Sequence, residues 1–285
     1  MMTVRLMPLL LVGFAATWVV ATPLHSSAIS GRDFSDPQRT KMATEMTAPP
    51  VARAVFPWLC LERCGDNSSA IDYQLAQLRA NKSVFTGAAW EDYNLGPNVT
   101  LVKNNLTQIA SRMAELGFAD RWAMVSSYPY PPQFLTWMRQ VFADPVPFIN
   151  ACLDAIRSEM LTGFNIDWEP TSGGGAPDPT EEDAQAYAAF LDRFSRALHS
   201  AGPYQVSVAV ATWSEIWNLT ALAGTAVDYI ATMSTYTGNL TTWEAQFAHA
   251  RQAIPLSKLV IGLETVNTEV ISTSSFLLIV IDHFG

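Results

Sequence analysis

Seven short apolar runs, separated by stretches of helical periodicity, set the strongest limit on what this 285-residue chain can fold into. Val55–Leu61, Val84–Trp90, Trp122–Ser127, Gly163–Trp168, Val206–Thr212, Tyr229–Ser234 and Leu259–Leu263 have strand length and apolar or aromatic content. Between them, one helix face collects Ile71, Leu75 and Leu78, and others collect Ile109, Met113 and Leu116, or Ile149, Cys152, Ile156 and Met160. The clearest stripe is Tyr187, Leu191, Phe194 and Leu198, opened by Thr180 with Asp183 three residues on and closed at Gly202-Pro203. A last helix begins at Thr241 with Glu244 and carries Trp243, Phe247 and Ile254. Strand–helix alternation implies parallel strands joined by right-handed crossovers.

Seven such units favour an α/β fold of the (β/α)8 TIM-barrel type, which typically occupies about 250 residues. A doubly wound sheet would usually show a Gly-rich turn after its first strand, and Leu61–Asn67 has only Gly65. The barrel is expected to be incomplete at the C-terminus. Only 22 residues follow Leu263, whereas a further unit takes roughly 30. Phe276–Ile281 has strand character but no amphipathic helix before it. A missing or aberrant eighth unit is expected to leave two unpaired strand edges.

Residues 1–21 read as a secretory signal peptide: Arg5, the apolar run Leu6–Val20, and a small-residue cleavage site at Val19-Val20-Ala21. At about 15 residues the run is short of the ~20 that a membrane span needs, and a signal anchor is the rival reading. Residues 22–50 are a Ser/Thr/Pro-rich flexible segment, and 51–285 the barrel. Asn67, Asn81, Asn98, Asn105, Asn218 and Asn239 each open an N-x-[ST] acceptor. The expectation is a glycoprotein that is secreted or held in a lysosomal or other lumenal compartment. Cys60 and Cys64 are spaced for a small disulfide there, with Cys152 left over; three reduced thiols are the alternative. A net charge of −9 argues against nucleic acid, and no polybasic run marks a membrane surface. Four scattered histidines and three cysteines lack metal-ligand spacing, so no metal and no cofactor is expected.

The chemistry concentrates in residues 161–170, LTGFNIDWEP. Strand alternation puts Phe164, Ile166 and Trp168 on one face and Asn165, Asp167 and Glu169 on the other. A strand covered on both faces should be apolar throughout, and burying an unpaired carboxylate costs several kcal/mol. Two carboxylates and an amide on the inner face therefore point to a cleft at the strand's C-terminal end, where barrel active sites lie. Carboxylates at i and i+2 also suit a general acid, since crowding raises one pKa. Trp58, Trp90 and Trp213 fall near strand ends, where their rings are candidates to stack on a bound ligand, with core packing the alternative.

The segment resembles the fourth-strand signature of the chitinase-type glycoside hydrolases of family 18, Asp-Gly-x-Asp-x-Asp-x-Glu. Here Thr162-Gly163-Phe164-Asn165-Ile166-Asp167-Trp168-Glu169 keeps the last Asp and the Glu. Asn165 at the middle position is similar to the di-N-acetylchitobiase-like branch, and Thr162 replaces the first Asp. Val206–Trp213, Met233–Tyr236 and Lys258–Gly262 resemble the fifth, sixth and seventh strands. The resemblance implies a glycoside hydrolase that cleaves β-1,4-linked N-acetylglucosamine. Glu169 would be the general acid/base, and Asp167 would orient the 2-acetamido group whose oxygen acts as nucleophile, a recognised exception to the two-carboxylate scheme. Tyr236 would hydrogen-bond the acetamide, and Asn165, Trp213, Trp90 and Met233 would bind substrate. The family's sixth strand carries Met-x-Tyr-Asp; this chain has one extra residue before Tyr236, and Thr237 in place of Asp. The family's eighth-strand Trp has no counterpart after Trp243. The expected partner is an oligosaccharide containing N-acetylglucosamine, bound by a monomer with no membrane attachment after signal cleavage. Two other functions fit: a weak or inactive chitinase-like carbohydrate-binding protein, and a two-carboxylate retaining glycosidase using Glu169 and Glu264.

Overall fold

A computed structural model describes residues 16–20, 55–62, 68–83, 85–106, 108–170, 176–233 and 240–264. The strands are β1 (Ala16–Val20), β2 (Val55–Leu59), β3 (Gly87–Leu95), β4 (Leu101–Lys103), β5 (Asp120–Ser126), β6 (Gly163–Asp167), β7 (Gln205–Val210), β8 (Tyr229–Thr232) and β9 (Leu259–Glu264). The helices are α1 (Ser68–Ala80), α2 (Ile109–Glu115), α3 (Phe134–Ala143), α4 (Val146–Glu159), α5 (Glu181–Ala201), α6 (Leu219–Ala223) and α7 (Leu240–Ala253). No described helix is long and apolar enough to cross a membrane.

All seven expected strands form, and they run parallel in the order β2, β3, β5, β6, β7, β8, β9, curling as seven strands of a (β/α)8 barrel. The eighth place holds no parallel strand among the described residues. It holds β1, which pairs antiparallel with both β2 and β9. The edges expected to stay open are therefore paired, by a segment that reads in sequence as part of a leader. Cleavage after Ala21 would remove that strand and leave β2 and β9 as edges.

The helices behave as their stripes require. Tyr187, Leu191, Phe194 and Leu198 are wholly buried. The Thr180 side chain accepts from the Asp183 N–H, and the Asp183 side chain accepts from the Thr180 N–H, closing the expected capping box of α5. Arg139 of α3 grips the Asp183 carboxylate with two bonds of 2.7 Å. That hydrogen bonding, against the opposing effect of burial, holds Asp183 below the usual carboxylate range. Met160 departs from its expected stripe: it takes the left-handed C-cap of α4 (φ 56°) and is 58% exposed. Helix α3, unread in the sequence, buries Phe134, Leu135, Met138 and Val141. Cys60 is disulfide-bonded and Cys152 is a free buried thiol; Cys64, the expected partner, lies outside the described residues.

Strand register sorts the barrel interior into layers, because paired residues of parallel neighbours share a face. At the N-terminal end, Trp122 stacks on Phe56 at 4.5 Å and on Tyr229 at 5.6 Å. Gly163 begins β6 within this layer, and a Cβ there would meet the Gln205 carbonyl at 2.3 Å. One layer up lie Glu91, Met124, Asn165 and Ser207, and above them Asn94, Ser126 and Asp167.

Strand β3 starts and ends later than the sequence predicts, running five residues past Trp90. Its register with β5 slips between Glu91 and Tyr93, so Glu91 and Asn94 both stay inside while Asp92 and Tyr93 meet α4. The Tyr93 hydroxyl donates to Glu159 at 2.5 Å, and Lys103 also bonds Glu159. Asp92, wholly buried, lies 3.9 Å from Lys103 Nζ. Burial, opposed by Lys103 and reinforced by Glu159, raises its carboxyl to about 7. The folded chain thus keeps a proton that the unfolded chain releases near the ordinary 3.8. This contribution to stability is complete below about pH 4 and is lost as pH rises through 7. At ~1.4 kcal/mol per unit it amounts to no more than about 4 kcal/mol. The unfolding midpoint is expected to fall between pH 5 and pH 8, and Asp92→Asn to flatten that fall. Parallel pH profiles for wild type and variant would show that another group sets it.

Candidate active site

Strand β6 carries the site. Its outward residues Phe164, Ile166 and Trp168 are wholly buried. Trp168 packs against Phe134 (6.3 Å), Phe148 (5.5 Å), Tyr187 (5.8 Å) and Phe190 (5.1 Å), so helices α3, α4 and α5 clamp the strand's end. That clamp sets the direction of the residues on either side. Asn165 and Asp167 point inward and are 0% and 1% exposed. The Asn165 amide donates to Ser207 Oγ at 2.9 Å. Asp167 lies close enough to Tyr187 for its charge to add to the burial that pushes the Tyr187 hydroxyl up.

Glu169 follows the end of β6, half-buried, and its backbone N–H donates to Ser127 Oγ at 3.2 Å. It lines a cleft of about 560 Å³ at the C-terminal ends of the strands. Tyr130 stands on the β5 side, Trp213, Ser214 and Glu215 on the β7 side, and Asp178-Pro179 precede α5. Asp167 lies in the layer beneath. The cap of α5 and its Arg139 fork fix the wall that Asp178 belongs to. Trp213 is 54% exposed, held edge-on to Trp217 at 5.5 Å, and also borders a smaller hollow of about 300 Å³ reaching His249. An exposed aromatic face beside a carboxylic acid suits a sugar ring next to a proton donor. Among the described residues no cluster of His, Cys, Asp or Glu is arranged to hold a metal.

Of the expected site residues, the acid/base candidate Glu169 and the substrate-contact candidate Trp213 come together at the cleft. Met233 is buried just past β8, its N–H bonded to the Val210 carbonyl. Trp90 does not reach the cleft. It is wholly buried at mid-strand and shares the outer face of β3 with Ala88, because β3 extends well beyond it. Trp58 is buried too, on the inner face of β2, donating to Met124 Sδ at 3.3 Å. Tyr236 and Thr237 lie outside the described residues, and Glu264 ends β9 opposite Ala16. Sequence reading missed Ser127, Tyr130, Asp178 and Glu215. All follow a strand's end closely or precede a helix cap, but polar loop residues carry no period that separates them from solvated loop. It also missed Glu91 and Asn94 on the inner face of β3.

Residues 67–275 match the sequence model of glycosyl hydrolases family 18. No curated protein matches the chain in sequence. Among solved structures, a chitinase from Chromobacterium violaceum superposes with TM-score 0.56 at 15% identity, over 68% of this chain and 64% of that one. The spore cortex-lytic enzyme SleL of Bacillus megaterium gives 0.55 at 16% identity, over 66% of this chain and 46% of that one. A class V chitinase from Nicotiana tobaccum, solved with NAG4, gives 0.50 at 15% identity, over 64% and 60%. The chain thus spans between about half and two-thirds of the length of these structures, and at such identities they show a shared fold. The family match covers most of the chain, the fourth parallel strand ends in the buried Asp167 and leads into Glu169 at the barrel mouth, and this protein belongs to glycosyl hydrolases family 18.

Proposed function

We propose that the chain hydrolyses β-1,4-linked N-acetylglucosamine oligosaccharides by substrate-assisted retention. The observation that carries this reading is the division of labour at the end of β6: Asp167 buried inside the barrel, Glu169 two residues on in the cleft beside Trp213. Glu169 protonates the glycosidic oxygen as the C1–O bond breaks. The acetamido oxygen of the same sugar attacks C1, forming an oxazolinium ion whose N–H and positive charge are held by Asp167. Glu169, now a carboxylate, takes a proton from the water that opens this ring and restores the acetamide. Tyr236 would add a hydrogen bond to the acetamide. We further propose that the protein is exported, glycosylated and monomeric. Among the described acceptors Asn98 and Asn105 are exposed, whereas Asn218 caps α6 and Asn81 bonds the Gln77 carbonyl.

The test is a pair of measurements on wild type. Fluorogenic N-acetylchitooligosaccharides should turn over while the matching glucosides do not, and a thiazoline mimic of the oxazoline should inhibit competitively. Sugar binding without turnover would make the protein a chitinase-like lectin. Turnover that ignores the thiazoline would favour direct carboxylate attack, with Glu264 as the second acid.

A further inference from the structure

Tyr130 has no role in that mechanism, yet its backbone is strained where it meets the cleft. Its φ is 59°, in the left-handed region that a bulky L-residue rarely adopts. Among the described non-glycine residues with positive φ, it is the one that lines the cleft of Glu169 and Trp213. Such outliers persist only where the surroundings over-determine them. Here the link from β5 to α3 is tied at both ends to the end of β6. The Tyr130 N–H donates to the Ser127 carbonyl at 2.8 Å, and Ser127 Oγ accepts the Glu169 N–H at 3.2 Å. At the other end, the Phe134 N–H donates to the Pro131 carbonyl at 2.9 Å, and the Phe134 ring packs against Trp168 at 6.3 Å. The Tyr130 ring lies at right angles to Tyr128, 6.1 Å away, and stays half-buried. It stands on the β5 side of the cleft, with the exposed Trp213 ring on the β7 side.

We propose that Tyr130 is a further substrate-binding residue, kept in this conformation at a cost to stability so that its ring packs on one sugar of the oligosaccharide while Trp213 meets the chain from the other side. For the class of ligand, this inference rests on the function proposed above. A pyranose with equatorial substituents presents C–H groups on its faces, and these pack on aromatic rings. A contact comparable to an aromatic pair changes affinity by up to about tenfold. It is made with the bound sugar before and during the reaction alike, so the effect belongs in KM and not in kcat.

The test compares Tyr130→Gly, Tyr130→Ala and Tyr130→Phe. Gly and Ala both remove the ring. Each should raise KM for an N-acetylglucosamine tetrasaccharide about tenfold with kcat within twofold. Kd for the same ligand, read by calorimetry in the Glu169→Gln background, should rise by the same factor. Gly alone takes the left-handed φ without cost, so the Tm of that variant should lie about 2–4 °C above that of the Ala variant. Phe keeps the ring and should restore most of the affinity. Gly and Ala variants that bind as tightly as wild type overturn the inference, and so does a Gly variant no more stable than the Ala one. A loss confined to kcat also overturns it, by making Tyr130 part of the support of Glu169. Should wild type bind the tetrasaccharide but never cleave it, the same tenfold loss of affinity in Gly and Ala would uphold this inference while the hydrolase reading fails. A wild type that binds no such oligosaccharide overturns both.

Discussion

Glu169→Gln should lower kcat by roughly 10²–10⁴-fold, the range of a lost general acid/base, while KM changes little. The substitution keeps the size of the side chain and leaves the Glu169 backbone bond to Ser127 in place. Glu169 is only half-buried on the wall of the cleft, so the unfolding free energy should stay within the ±0.5 kcal/mol typical of such positions. A fluorogenic chitobioside assay at matched folded protein checks both statements. Unchanged turnover would remove Glu169 from the chemistry. Retained oligosaccharide binding with lost turnover is the outcome the mechanism requires.

Trp168→Ala should cost about 3–5 kcal/mol, the range for emptying a buried aromatic site. The ring is wholly buried and touches Phe134, Phe148, Tyr187 and Phe190 from three helices, so no single neighbour can collapse into the space. The loss should also reach activity, because Trp168 sits between Asp167 and Glu169 and its packing sets where both point. Denaturant unfolding with an unchanged m-value would measure the stability term. A cost below about 1 kcal/mol would mean the strand end is held by something other than this cluster.

The inward and outward faces of β6 could be read from residues 161–170 because a parallel strand with three alternate polar residues has few ways to be buried. The seven parallel strands were legible for a related reason, since local apolar runs between helix stripes repeat a period that does not depend on distant partners. Strand β3 was misplaced because Glu91, Asp92 and Asn94 look like a turn after Trp90. A bulge and a polar barrel interior accommodate them instead, and neither leaves a local signature. That error also made Trp90 look like a strand-end residue. Ala16–Val20 is a different case. A run of Thr, Trp and Val satisfies both the apolar core of a leader and a β-strand, and antiparallel pairing with β2 and β9 is a non-local fact. The cleft residues Tyr130, Asp178 and Glu215 come together only because β5, β6 and β7 pair side by side, which is again a non-local fact.

The most direct measurement is a crystal structure with the thiazoline bound. On the mechanism proposed here, its ring nitrogen lies within about 2.6–3.2 Å of an Asp167 carboxylate oxygen, with Glu169 over the position of the glycosidic oxygen and Trp213 along the cleft. Inhibitor seated away from β6, or bound at β6 with Asp167 turned from the ring, would contradict it.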